Sequence, residues 1–71
     1  MRIDTRGKDC PIPLIELKAA IQASAKGEVI EVLFTCPEAV VNLPNYCQEN
    51  NHKVLEFEPL EKSGWRIVVE N

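Results

Sequence analysis

The spacing of apolar residues along the chain predicts six elements in the order β-α-β-α-β-β. We expect strands at residues 3–5, 29–35, 53–58 and 65–70, a helix at 11–25, and a helical region at 37–50. The strand at 29–35 is apolar at nearly every position, which is typical of a central strand. Two βα crossovers followed by a hairpin predict an α/β (α+β) fold, a two-layer sandwich with a four-stranded mixed sheet and both helices on one face.

The sequence makes a more detailed prediction for two of these elements, the second helix and the third strand. Pro44 lacks the N–H that a helix interior requires, so we expect the main second helix to begin near Asn42, with Pro44 in its first turn. In the strand at 53–58, strict alternation predicts that Val54 shares a face with Glu56, opposite Phe57.

The small size of the chain limits what it can bind. With 71 residues and a mass of 8.0 kDa, it is predicted to form one domain, 1–71. Folding removes only about 60% of the unfolded surface of so small a chain, which leaves little core for a deep pocket. This disfavours a large cofactor site and favours a carrier, a small reactive centre or a binding module. The net charge of −3 argues against direct nucleic-acid binding.

Nothing in the sequence predicts export or insertion into a membrane. The first nine residues carry five charges and no apolar core, unlike a signal peptide, and no apolar run is long enough to span a bilayer. The three cysteines are odd in number and irregularly spaced, which makes a poor disulfide framework. We therefore expect a cytoplasmic protein.

The sharpest candidate for chemistry is Cys10, which opens a Cys-Pro-Ile-Pro run. Pro11 suits the first helical position, which would make Cys10 the N-cap and place its sulfur near the positive end of the helix dipole and free N–H groups. Both favour the thiolate. Arg6 and Lys8 add positive charge nearby, and Pro13 stiffens the turn. A buried, inert cysteine is the alternative, but the polar loop before it favours a reactive thiolate.

Cys36 is expected to lie near Cys10. Each cysteine follows one of the first two strands, which a right-handed βαβ unit makes parallel, so both belong at the carboxyl edge of the sheet. Open α/β sheets build their sites at that edge. We expect Cys36 to pack against the site as an auxiliary thiol. A resolving role, which requires Cα atoms within about 7 Å, is the alternative.

Two other residues of candidate type are assigned no chemistry. Cys47 lies on the apolar face of the second helix and is predicted to be core. His52 precedes the third strand, so a parallel third strand would place it at the amino edge, roughly 17–20 Å from Cys10. No histidine is then available as a base for Cys10. The chain has no Cys-x-x-Cys pair, so we expect no metal site.

Residues 4–13, Asp-Thr-Arg-Gly-Lys-Asp-Cys-Pro-Ile-Pro, resemble the D-x-R-G-x-x-C-P-x-P signature of the TusA/SirA sulfur-carrier family. The resemblance covers the whole chain, since Pro37, the pair at 43–44 (Leu-Pro) and His52 also stand where that family has them. It implies a sulfurtransferase-type carrier with a persulfide on Cys10 and no metal or organic cofactor. It also implies a sulfur donor, such as a cysteine desulfurase, a rhodanese or thiosulfate, and an acceptor protein.

The branch within the family is indicated by departures from the signature of its best-known members. The tRNA-thiolation branch has Asp-Asp-Pro where residues 35–37 are Thr-Cys-Pro, and Asp-Ile-Pro where residues 42–44 are Asn-Leu-Pro. The stretch at 10–20, Cys36 and the stretch at 65–69 look more like the YeeD-type branch, which is paired with YeeE/YedE-type membrane proteins that import thiosulfate. A membrane transporter is therefore an alternative partner. A non-catalytic regulatory or protein-interaction module and a dithiol redox protein using both site cysteines are alternative functions.

Overall fold

The computed structural model describes residues 1–71 and contains the six elements in the predicted order. The strands are β1 (Arg2–Thr5), β2 (Val29–Phe34), β3 (Lys53–Pro59) and β4 (Trp65–Glu70), and the helices are α1 (Ile12–Ala23) and α2 (Ala39–Glu49). The sheet order is β1-β2-β4-β3, with β4 antiparallel to both of its neighbours. The first three strands are therefore parallel to one another, and both helices pack on one face. The predicted fold class is confirmed.

The core lies between the two helices and one face of the sheet. The sheet contributes alternate residues of the two central strands: Ile30, Val32, Phe34, Ile67 and Val69. Leu17, Ala20 and Ile21 of α1 pack on them at helical spacing. β2 lies between β1 and β4, as its apolar sequence predicts. Neither helix has the length and apolar run needed to cross a bilayer.

The pairing of β1 with β2 determines where the following loops emerge. The two strands are parallel, and Thr5 lies opposite Phe34 at the last position of both. The buried Thr5 hydroxyl donates to the carbonyl of Leu33 at 2.8 Å, which ties the two strand ends together. The loops at residues 6–11 and 35–38 therefore leave the carboxyl edge of the sheet side by side.

The prediction that Pro44 separates two helical segments is wrong. α2 runs without a break from Ala39 to Glu49, with Pro44 inside it. Ala39, Leu43 and Cys47 recur every four residues and are all buried. An interior proline costs about 3 kcal/mol, and full burial of a leucine side chain alone contributes roughly 1.5–3 kcal/mol. Tertiary packing of this buried stripe therefore offsets the lost hydrogen bond and keeps the segment helical.

The predicted alternation of β3 is also wrong, because the strand contains a β-bulge. Val54 pairs with Val69, and the next pair is Glu56 with Val68, so Leu55 is an extra residue in the register. The bulge places Val54 against the core, on the opposite face from Glu56. A bulge is defined by pairing with the neighbouring strand, so the residues of β3 alone do not reveal it.

Charged side chains cover the sheet face that the helices leave open. Arg66 donates to Glu31 on β2 and, at 2.8 Å, to Glu56 on β3, and it lies 3.8 Å from Glu58. Arg2 approaches Glu31 at 3.1 Å. The hydrogen bond from Arg66 lowers the pKa of Glu31, and the carboxylates raise the pKa of Arg66. Glu56 and Glu58 of β3 thus lie on the solvent-exposed face of the sheet.

Candidate functional site

Cys10 and Cys36 meet at the carboxyl edge of the sheet. Their Cα atoms are 5.6 Å apart, and their side chains form a disulfide across a sequence separation of 26 residues. This Cα separation lies within the range of roughly 4.4–6.8 Å that disulfides span. The expectation that the parallel strands bring both cysteines to one edge is confirmed.

A small cavity of about 220 Å³ lies at this edge. It is lined by Gly7, Lys8, Asp9 and Cys10 from the β1–α1 loop and by Thr35, Cys36 and Pro37 from the β2–α2 loop. Pockets for drug-sized ligands measure roughly 300–1,000 Å³, so this cavity suits a small anion or a short sulfur chain. Cys10 is partly buried, whereas Cys36 is only 5% exposed. Cys10 is therefore the more accessible of the two sulfur-bearing residues.

A hydrogen bond joins the two loops that carry the cysteines. The N–H of Gly7 donates to Oγ1 of Thr35 at 2.9 Å. Gly7, with φ of +82°, is the third residue of a turn that the N–H of Lys8 closes on the carbonyl of Thr5 at 3.0 Å. A positive φ at that position defines a type II turn and favours glycine. No role is predicted for Thr35 from sequence, although a hydroxyl directly after β2, level with a glycine turn, is a signal that points to it.

α1 begins two residues after Cys10, so the prediction that Cys10 is the N-cap is wrong. Ile12 is the first helical residue, Pro11 occupies the N-cap position, and Pro13 is buried in the first turn. The Cys10–Pro11 peptide bond is cis. Because Ile12 is the first helical residue, the helix starts one residue later than the Cys-Pro pattern indicates, and Cys10 belongs to the preceding loop.

The first-turn N–H groups of α1 are not free to bind the Cys10 sulfur, contrary to the prediction. The N–H of Ile12 donates to the Asp9 carbonyl at 2.9 Å, and that of Leu14 donates to the Pro11 carbonyl at 3.1 Å. The two prolines of the motif have no N–H to donate. The helices can still act through their dipoles, because α1 and α2 both start at this edge and each N-terminus carries the equivalent of roughly half a positive charge.

The β3–β4 turn supports the chain just before Cys36. Gly64 has φ of +91°, and a Cβ there would lie 2.6 Å from the Phe34 carbonyl oxygen and 3.0 Å from Cγ2 of Thr35. Trp65 stacks on Phe34, with ring centroids 5.7 Å apart. Together these contacts hold the main chain that leads into the Cys36 loop.

Arg6 and Lys8, the two predicted stabilising cations, lie in different surroundings. Arg6 donates to both carboxylate oxygens of Asp4, at 2.9 and 2.7 Å, and does not line the cavity. These hydrogen bonds lower the pKa of Asp4 to about 2 and raise the pKa of Arg6. Lys8 lines the cavity with Asp9. The structure therefore brings Lys8, and not Arg6, to the cysteines, and Asp4 offsets the charge of Arg6.

Cys47 and His52 lie away from this site, as predicted. Cys47 is a free, buried cysteine of α2, and burial raises the pKa of its thiol to about 11. His52 precedes β3, stacks against Tyr46 with ring centroids 6.0 Å apart, and lines a separate polar cavity at the amino edge of the sheet. No group of three or more His, Cys, Asp or Glu side chains is arranged to hold a metal ion.

Comparison with known proteins gives consistent matches along the whole chain. A family model described as "Sulfurtransferase TusA" matches residues 1–71. A proposed sulfur carrier protein of Thermotoga maritima is 36% identical over 67 residues, covering 94% of this chain and 85% of that protein. The proposed sulfur carrier protein TsuB of Escherichia coli K12 is 29% identical, covering 97% and 92%. The crystal structure of a SirA-like protein from Desulfitobacterium hafniense shares the fold, with a TM-score of 0.84, 24% identity, and coverage of 99% of this chain and 96% of that chain.

Proposed function

This chain belongs to the TusA sulfurtransferase family, and we propose that it acts as a sulfur carrier in which Cys10 holds the sulfur as a persulfide. The observation that carries the proposal is the position of the partly exposed Cys10 in the lining of a small cavity, on a loop, ahead of a helix N-terminus. A carrier must offer its sulfur to two partners in turn, so its sulfur-bearing residue needs to be accessible. Of the three cysteines, Cys10 meets that requirement best.

The proposed chemistry consists of two attacks at sulfur. The Cys10 thiolate attacks the outer sulfur of a donor persulfide and displaces the donor thiolate, or it attacks the outer sulfur of thiosulfate and displaces sulfite. Either step leaves a persulfide on Cys10. An acceptor thiolate then attacks the outer sulfur of that persulfide, and Cys10 leaves as a thiolate, ready for reloading. This cycle requires the reduced form of the Cys10–Cys36 pair.

The electrostatic surroundings support an anionic sulfur on Cys10. The N-termini of α1 and α2 both lie at this edge, and Lys8 lines the cavity. Asp9 lines it as well and opposes Lys8. In this proposal Pro11 and Pro13 position the thiol by restricting the loop and first turn, and Arg6 acts indirectly, because its guanidinium is held by Asp4.

The proposed partners follow from this chemistry and from the family. A cysteine desulfurase, a rhodanese or thiosulfate supplies the sulfur, and a protein with an exposed thiol receives it. A membrane transporter of the YeeE/YedE type, which would deliver thiosulfate, is the second candidate. It rests on the resemblance of residues 10–20, Cys36 and residues 65–69 to the YeeD-type branch.

Sulfur loading tests the proposed function directly. Reduced protein is incubated with a cysteine desulfurase and cysteine, or with thiosulfate, and its intact mass is measured before and after reductant. We expect a gain of one sulfur atom that reductant removes. Cys10→Ser should abolish the gain, and the matched control Cys47→Ser should retain it. No gain with any donor in both the wild type and Cys36→Ser, or a gain that survives in Cys10→Ser, would refute the proposal.

A further inference from the structure

We propose that Cys36 is a resolving thiol, which discharges the sulfur carried by Cys10 as hydrosulfide and leaves a disulfide between the two residues. The inference rests on the proposed function, because it concerns the fate of a persulfide on Cys10. It gives the site a second outcome besides transfer to an acceptor protein, namely the reductive release of the cargo.

The geometry of the cysteine pair carries this inference. The Cα atoms are 5.6 Å apart, and the side chains are bonded in the structure, so the Cys36 sulfur reaches Cys10 Sγ with the main chain in its present position. In a loaded carrier, Cys10 Sγ is the inner sulfur of the persulfide. Cys36 is therefore positioned to attack the inner sulfur, whereas an acceptor protein arriving from outside attacks the outer one.

The main chain next to Cys36 is also fixed by specific contacts with two other loops. The Gly7 N–H to Thr35 hydrogen bond ties the two loops together at 2.9 Å. Gly64 packs against the main chain just before Cys36, leaving no room for a Cβ. Cys47 provides the contrast, since it is even more deeply buried but has no disulfide partner. Burial alone therefore does not account for the pairing of Cys36 with Cys10.

The proposed step balances without any further reactant. Cys36 loses its proton to solvent through the cavity, and its thiolate attacks Cys10 Sγ in the protonated persulfide. A bond forms between the two Sγ atoms, the bond between Cys10 Sγ and the outer sulfur breaks, and the outer sulfur leaves with its hydrogen as hydrosulfide. The outer sulfur is reduced, and the two cysteines are oxidised to a disulfide. A dithiol reductant must then reopen the pair before the next loading.

This step makes the fate of the cargo a competition between two thiols. A docked acceptor that attacks faster than Cys36 receives the sulfur, and without an acceptor the site releases hydrosulfide. With thiosulfate as the donor, one full cycle would yield sulfite and hydrosulfide and would consume one dithiol. The class of reaction that restores the protein is thus thiol–disulfide exchange with a reduced dithiol.

The test uses single-turnover discharge in the absence of an acceptor. Reduced full-length protein is loaded with inorganic polysulfide, freed of excess reagent, and followed by intact mass, hydrosulfide release and non-reducing peptide mapping. Cys36→Ser and Cys36→Ala are both examined, with circular dichroism to establish that each is folded, and Cys47→Ala serves as the matched control for loss of a buried cysteine.

We expect the wild type and Cys47→Ala to release one hydrosulfide per chain and to form the Cys10–Cys36 disulfide. In both Cys36 variants the persulfide should last at least about tenfold longer, since the oriented intramolecular attack is lost. A wild-type persulfide as long-lived as that of the variants, or undiminished hydrosulfide release from them, would overturn the inference and leave the carrier function intact. A Cys36→Ser protein that takes up no sulfur would instead count against the proposed function itself.

Discussion

At the carboxyl edge of the sheet, polar loop residues surround a cysteine pair, whereas at the amino edge they close the ends of the helices. Each edge has a cavity between loops. The amino-edge cavity, of about 450 Å³, is lined only by polar and charged side chains: Ser24, Lys26, Asn50, Asn51, His52 and Asn71. It is about twice the size of the carboxyl-edge cavity, yet it contains no cysteine. The larger of the two cavities is therefore not the one that contains the proposed site.

At the amino edge, hydrogen bonds from Asn71 tie the end of the chain to the end of α1. The Asn71 amide donates to Oγ of Ser24 at 2.6 Å and to the carbonyl of Ile21 at 3.0 Å, and the Asn71 carbonyl accepts from Gly27 N–H at 2.6 Å. The bond to Ile21 supplies a donor to a carbonyl in the last turn of α1, where helical N–H donors run out. At the carboxyl edge, by contrast, the helix N-termini supply positive potential next to two sulfurs. The amino edge closes the end of a helix, whereas the carboxyl edge provides the positive potential that the proposed Cys10 thiolate requires.

The largest expected effect is a difference in thiol reactivity between Cys10 at the carboxyl edge and Cys47 in the core. In reduced protein at neutral pH, Cys10 should alkylate at least about 100-fold faster than Cys47, because the raised pKa and burial of Cys47 suppress its thiolate. Time-resolved alkylation with peptide mass spectrometry measures both rates, and unfolded protein, in which the rates should converge, is the control. Comparable rates in the folded state would show that Cys10 is not activated.

The same pKa shift predicts a loss of stability at alkaline pH. Folding raises the pKa of Cys47 from 9.0 to about 11, which means that the folded state favours the neutral thiol. The resulting contribution to the free energy of unfolding is present in full below pH 9. That contribution disappears as the pH rises from 9 through about 11. Cys47→Ala should remove this part of the alkaline decline in urea-unfolding experiments.

The next largest effect is expected from oxidation of the site pair. Closing a loop across 26 residues stabilises the fold by roughly 3–4 kcal/mol in the chain-entropy model, which corresponds to a rise in Tm on the order of 15–25 °C. Calorimetry of oxidised and reduced protein measures this difference. Cys36→Ser should show no dependence on redox state, and a wild type with equal Tm in both states would contradict the prediction.

Gly64 at the carboxyl edge and Gly27 at the amino edge both have φ of +91°, so replacing each with alanine compares the packing around them. Gly64→Ala should destabilise the protein by about 2–4 kcal/mol, since the left-handed backbone and the 2.6 Å contact with Phe34 both oppose a Cβ. Gly27→Ala, which meets no atom within 4 Å, should cost only about 1–2 kcal/mol for the backbone alone. Urea unfolding tests both, and equal losses would mean that the packing behind the Cys36 loop is unimportant.

The smallest expected effect concerns the closure of the amino edge. Asn71→Ala removes the amide that binds the end of α1 and should cost about 1–2 kcal/mol of stability, while sulfur loading on Cys10 stays at the wild-type level. Asn45→Ala, at an exposed position of α2, is the matched control and should be nearly neutral. Impaired loading in a folded Asn71→Ala protein would show that the two edges are coupled.

The features of this protein that depend on the spacing of residues along the chain follow from its sequence. Helical and alternating periodicity predicts the six elements, and the right-handed βαβ rule then brings Cys10 and Cys36 to one edge without any measured distance. The burial of Cys47 follows from its place on an apolar helix face, and the remoteness of His52 follows from the direction of β3. Each of these features depends on spacing along the chain, which the sequence states directly.

Only the tertiary structure decides the features that depend on a second segment. Pro44 stays inside α2 because its helix packs on the sheet, and Val54 faces the core because β3 bulges against β4. Thr35 accepts from the N–H of Gly7 because the two loops leave the carboxyl edge of the sheet side by side. The physical reason is common to all of them. Burial and hydrogen bonds require two groups to meet, and the pattern of residues along the chain does not specify which distant group each residue meets.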